Sequence, residues 1–105
     1  MTNPKILVTG ATGRTGGAVV TQLLAKGRPV RAAVRIRDAR SDRLQSLGAE
    51  VVVADVFDPG QLTDAMRGVQ RAYYCPPYHR FAIQGVAAFA AAARETVRRR
   101  RTQRI

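Results

Sequence analysis

The chain is short of several things that would widen its range of functions. It has one cysteine, Cys75, in 105 residues, which excludes an internal disulfide and a metal site built from several cysteines. It has one histidine, His79, and two lysines, Lys5 and Lys26, beside sixteen arginines. No apolar run approaches the roughly 20 residues of a membrane-spanning helix. The opening MTNPK lacks the charged-then-apolar layout of a secretory signal. A protein without a membrane segment, in the cytoplasm, is the expectation. Acidic residues are also scarce, seven against eighteen basic ones, for a formal net charge of +11.

That excess is uneven. The last twelve residues, RETVRRRRTQRI, hold six arginines and one glutamate and so carry +5 of it. The expected division is therefore a folded body over residues 1–93 and an arginine-rich segment over 94–105. At this length the body is one domain.

Its organisation is an alternation of strands and helices. Strands are predicted at KILVT (5–9), PVRAAVR (29–35), AEVVVADV (49–56) and VQRAYYCP (69–76). The helix after Gly13 sets Val20, Leu23 and Leu24 on one face and stops at Gly27. A second, over 38–48, presents Leu44 and Leu47 to a core. Asp58 caps a third, with Pro59 at its first position and Gly68 beyond its end. A fourth, from about 80 to 97, runs through Ile83, Val86, Ala87 and Ala90. Such spacing implies right-handed crossovers and a parallel sheet covered on both faces.

The first strand ends in GATGRTGG, with Gly10, Gly13 and Gly16 three apart. A phosphate site needs outward N–H groups at a helix N-terminus and no side chain in the way. Gly10 makes the tight turn, Gly13 admits a pyrophosphate, and Gly16 lets the helix approach the sheet. Thr12, Arg14 and Thr15 add donors. A glycine triplet alone is weak evidence; one that follows a strand, opens a helix and leads to a second strand has the context of a dinucleotide-binding turn.

The end of the second strand discriminates cofactors. An acid there accepts from a ribose hydroxyl, whereas an arginine pairs with a 2′-phosphate. Arg35 occupies that position, with Arg31 and Arg37 nearby in VRAAVRIRD. NADP(H) is therefore expected over NAD(H). Asp38 is the rival, able to reach the ribose if the turn folds back, and a merely solvated arginine cluster is the remaining alternative.

VTGATGRTGGAVVTQLLAKGRPVRAAVR resembles the NmrA-like branch of the atypical short-chain dehydrogenases/reductases, as do LGAEVVVADVFDPGQLTDAMRGV and YYCPP. The resemblance implies a Rossmann-type doubly wound sheet, here of about four strands in the order 3-2-1-4. It implies an NAD(P)-binding protein, either a reductase of quinones, azo dyes or similar small acceptors, or a non-catalytic redox sensor. It also implies that Asp55 and Val56 line the adenine pocket, although Asp55 equally suits a loop cap. Pro76, with Pro77, ends the fourth strand across the crevice from Gly10.

Catalytic residues are not identifiable. The Tyr-x-x-x-Lys pair of standard short-chain dehydrogenases cannot occur, because both lysines precede Tyr73, Tyr74 and Tyr78. His79 reads as a loop residue and Cys75 as a small buried one. The family pattern is expected to break near Thr96, by truncation or a frame change. That leaves a cofactor-binding half-domain with an open edge at AYYC, able to recruit a second copy. Nucleic-acid binding through RRRR would be nonspecific, since no aromatics are interleaved with it.

Overall fold

The computed structural model describes residues 5–75 and 82–103. Its elements are β1 (Ile6–Val8), α1 (Arg14–Ala25), β2 (Val30–Val34), α2 (Ala39–Ser46), β3 (Glu50–Val53), α3 (Pro59–Ala65), β4 (Arg71–Tyr73) and α4 (Ala82–Gln103). The strands form one sheet in the order β3-β2-β1-β4, with every pairing parallel. This is the Rossmann-type arrangement the sequence implies.

Alternation along the strands sorts the core onto two faces. Val8, Val30, Ala32, Val34 and Val51 pack beneath α1 and α2 with Val20 and Leu44. Leu7 and Ala33 face the other way, against Leu62, Ala65, Met66, Ala88 and Ala92 of the α3–α4 layer. One residue of register would exchange the two sets. The helices stop where glycine permits, with Gly27, Gly48 and Gly68 at positive φ.

Two expected faces differ. Leu44 is buried, but Leu47 is 47% exposed, because α2 ends at Ser46 and Leu47 is its C-cap. The 3.6-residue period that would have brought it inward stops first. On α4, Val86, Ala87 and Ala90 are exposed, while Gly85, Ala88 and Ala92 are buried. The small residues let α4 lie close to the layer beneath: a Cβ on Gly85 would stand 2.6 Å from Tyr74 Oη.

α4 also continues past its expected end at 97. Glu95 accepts from Arg98 at 2.6 and 2.9 Å and from Arg99 at 3.1 Å, pairs at helical spacing that support this stretch. At the other side of the sheet, β4 pairs only with β1 among the described residues. Its flank forms a cavity of about 150 Å³ with Met66, Ala72, Phe89, Ala93 and Val97.

Candidate functional site

The parallel strands bring the residues that follow β1, β2, β3 and β4 to one edge of the sheet. Buried Thr9 ties two of them together: its Oγ1 accepts from Cys75 N–H at 3.0 Å, and its N–H donates to Tyr73 O at 3.0 Å. Gly10 then turns at φ +58, where a Cβ would lie 3.2 Å from Cys75 O and 3.3 Å from Cys75 Cβ. Both the backbone angle and the lack of space require glycine there. Gly13 N–H closes the turn onto Gly10 O at 3.0 Å.

Gly16 is constrained more tightly still. A methyl on it would collide with Gly10 O and stand 2.7 Å from Gly10 C. The first turn of α1 thus lies directly on the loop that feeds it.

That helix start differs from its neighbours. Asp38 caps α2, accepting from Arg40 N and Ser41 N, and Asp58 caps α3 through Gly60 N and Gln61 N. At α1 the N-cap is Gly13, no side chain caps the helix, and no acid stands in the first turn. Its first N–H groups have no intrahelical acceptor, as at any helix start, and Gly13, Arg14 and Thr15 are exposed around them. An uncapped helix start, behind a turn that a Cβ would fill, fits the pyrophosphate of a dinucleotide. Thr12, half-buried, sits on the same loop.

Arg35 follows β2 at this edge and is exposed. The other arginines of its run have different duties. Arg37 Nη2 donates to Val51 O at 2.9 Å. Arg31 lies at the far end of the strand. Its Nη1 reaches Ala65 O and Arg67 O, both at 2.6 Å, and its Nε reaches Glu50 at 3.0 Å. It ties β2 to the end of α3 and does not belong to the Arg35 cluster.

Asp38, the rival ribose partner, is engaged. Besides capping α2, its Oδ2 pairs with Arg40 Nη2 at 2.8 Å, and that hydrogen bond holds its carboxyl below the usual range. After β3, Asp55 Oδ1 accepts from Phe57 N–H at 2.9 Å, as a loop-capping carboxylate does, while Asp55 itself remains exposed. Val56 packs against the α3–α4 core. Cys75 is buried, and burial pushes its thiol up. Pro76, Pro77 and His79 lie outside the described residues.

The structure adds a feature the sequence reading missed. A cleft of about 420 Å³ opens between α1 and α2, walled by Thr12, Gly13, Gly17 and Ala18 on one side and by Arg40 and Arg43 on the other. The two arginines, three apart on α2, were visible as a helical pair; that α1 faces them was not. Among the described residues no group of three or more His, Cys, Asp or Glu could hold a metal, and no helix is long and apolar enough to cross a membrane.

Known proteins match this arrangement. The chain superposes on Citrobacter sp. triphenylmethane reductase in complex with NADP(H), at TM-score 0.74 and 34% identity, over 87% of this chain and 34% of that one. It superposes on an Escherichia coli NADPH-dependent quinone oxidoreductase in complex with NADPH, at TM-score 0.76 and 29% identity, over 87% and 33%. Sterol demethylase protein B of Methylococcus capsulatus is 43% identical over 68 residues, 65% of this chain and 20% of that protein. The chain thus spans about a third of the two solved structures and a fifth of the curated relative. The model of the NmrA-like family matches residues 2–100. With the glycine turn, the strand order and this match in agreement, the chain belongs to the NmrA-like family.

Proposed function

We propose that this chain is the NADP(H)-binding part of an NmrA-like reductase. The observation that carries the reading is the uncapped start of α1 on a turn with no room for a Cβ. Gly10, Gly13 and Gly16 bring backbone N–H groups to the pyrophosphate, and Thr12, Arg14 and Thr15 add side-chain donors. Arg35 pairs with the 2′-phosphate. Asp55 and Val56 border the adenine, with Pro76 across the crevice. A bound nicotinamide supplies the hydride; the protein supplies position, charge and exclusion of water.

The acceptor in this reading is a quinone or similar small molecule, and the NADP(H)-bound solved relatives support the cofactor half of it. In this reading the protein works in the cytoplasm, and the flank of β4, which pairs only with β1 among the described residues, serves for self-association. A non-catalytic NADP(H) sensor is the second reading, favoured by the burial of Cys75 and of the Tyr74 hydroxyl just beyond β4, which withdraws both groups from acid–base work. Nucleic-acid binding is the weakest reading: no aromatics are interleaved with RRRR, and Arg98 and Arg99 share the Glu95 carboxylate.

Titration of the chain with NADPH and NADH, before and after Arg35→Ala, tests the proposal. One charge-assisted hydrogen bond contributes about 1.5–3 kcal/mol, so the NADPH:NADH affinity ratio should fall about 10- to 150-fold in the variant. Equal affinities in the unmodified chain would sink the cofactor preference.

A further inference from the structure

β3 forms the edge of the sheet opposite β4. Among the described residues it pairs only with β2, in the register Ala33 to Val52 and Val34 to Val53. Just past its end, Ala54 N–H donates to Val34 O at 2.9 Å. Alternate residues of a strand turn their backbone groups to the same side. Residues 52 and 54 therefore serve β2, while 49, 51, 53 and 55 turn N–H and C=O to the free side. The strand is β-branched from Val51 to Val53, and Val53 is half-exposed. An edge of that composition is a template for another strand.

The free side is closed at intervals. Ala49 N–H donates to Leu44 O at 3.1 Å, so the end of α2 covers the start of the strand. Beyond the other end, Asp55 N–H donates to Gln61 Oε1 at 2.9 Å. Between them stands Val51 O, and its donor is Arg37 Nη2, at 2.9 Å. Arg37 comes from the connection between β2 and α2, and its guanidinium lies along the outer side of β3. The bond adds nothing to the ladder, because Val51 O points away from β2.

We propose that Arg37 guards this edge, keeping β3 from pairing with the β3 strand of a second copy. Its guanidinium occupies the acceptor that an incoming strand needs and sets a positive charge beside it, a device by which edge strands are kept single. A contact between two copies of one strand is two-fold, so the Arg37 of each would come to the same seam. There two guanidinium groups repel and two acceptors stay masked. The role requires no bound dinucleotide and concerns the edge opposite β4, so it stands apart from self-association at β4.

The test is sedimentation velocity over a concentration series on the full chain, unmodified and as Arg37→Ala, Arg28→Ala, and Arg37→Ala combined with Val53→Pro. Arg28 is exposed, as Arg37 is, and its loss controls for one unit of charge. Proline at 53 removes an N–H on the free side and costs no bond to β2. Circular dichroism checks that each variant is folded. Whatever association the unmodified chain shows is the baseline. Arg37→Ala should tighten it about 5- to 150-fold, the worth of the two backbone hydrogen bonds that a two-fold seam regains. Arg28→Ala should stay at the baseline, and Val53→Pro should return Arg37→Ala to it. Amide hydrogen exchange supplies a readout that needs no proline: in associated Arg37→Ala, protection should rise at Val51 and Val53. An unchanged association constant in Arg37→Ala overturns the guard, and so does equal tightening in Arg28→Ala, which would assign the effect to net charge. Tightening that Val53→Pro does not reverse, or new protection confined to other strands, overturns the pairing of β3 with β3.

Discussion

Replacing Gly16 by alanine should cost both stability and the phosphate site, although alanine is the better helix former. The added methyl would collide with Gly10 O and stand 2.7 Å from Gly10 C and 3.1 Å from Ala11 Cα. All three neighbours are backbone atoms of the turn itself, so no side chain can swing aside. Either α1 moves off the sheet or the turn opens. Overpacking of this kind costs about 3 kcal/mol, and the gain in helix propensity offsets about 1, leaving a net loss of about 2 kcal/mol. For a domain of this size the melting temperature should fall by roughly 10 °C. Gly17→Ala is the matched control. Its methyl meets only Ala11 O, at an ordinary 3.4 Å, so it should be neutral or stabilise by up to about 1 kcal/mol. Urea denaturation of both variants decides the matter. Equal stability in Gly16→Ala and Gly17→Ala would refute the claim that close approach, rather than general tolerance of small residues, fixes Gly16.

The remaining predictions concern pH, a buried hydroxyl and a backbone tie. Hydrogen bonds from Arg98, then Arg99, hold the Glu95 carboxyl down at about 2 against an ordinary 4.5. Glu50 is lowered too, first by Lys5 and then by Arg31. A carboxyl lowered on folding stabilises above its unfolded pKa, and the contribution is lost as pH falls through the folded value. The urea midpoint should therefore drop from about pH 5 towards 2, and Glu95→Gln should flatten part of the slope; an unchanged profile would contradict the pairing. The Tyr74 hydroxyl is buried without a hydrogen-bond partner among the described residues, while its ring lies against Phe89, centroids 4.8 Å apart. Tyr74→Phe keeps the ring and should gain about 1 kcal/mol, so a loss of stability would mean that the hydroxyl is satisfied. Arg31→Met should cost about 1–3 kcal/mol by leaving Ala65 O and Arg67 O without their donor, read by the same denaturation.

What the sequence discloses here depends on range. The turn was legible because Gly10, Gly13 and Gly16 are local to one another and bracketed by a strand and a helix; their spacing states the packing problem they solve. The α3 cap was legible for the same reason, since Asp58 with Pro59 announces a helix start; the capping box of Asp38 and Ser41 at α2 came only with the structure. Neighbours in sequence misled where direction mattered. Arg31 and Arg35 lie in one run, yet they stand at opposite ends of a parallel strand, so only Arg35 reaches the site edge. Leu47 continued an apolar pattern past the point where α2 stops. Val86 was the more hydrophobic choice on α4, but Gly85, Ala88 and Ala92 are the buried residues, and close approach governs packing there. Arg40 and Arg43 acquire meaning only from α1 across the cleft, a tertiary contact that no local pattern states.

The central claim is that the turn from Gly10 to Gly16 holds the pyrophosphate of a nicotinamide dinucleotide. Its most direct test is a titration of the ¹⁵N-labelled chain with NADPH, followed by amide NMR. The account predicts that the largest shifts fall on Gly13, Arg14, Thr15 and Gly16, with smaller ones at Arg35 and along the start of α2. Shifts confined to the arginines of α4, or none at all at saturating NADPH, would contradict it.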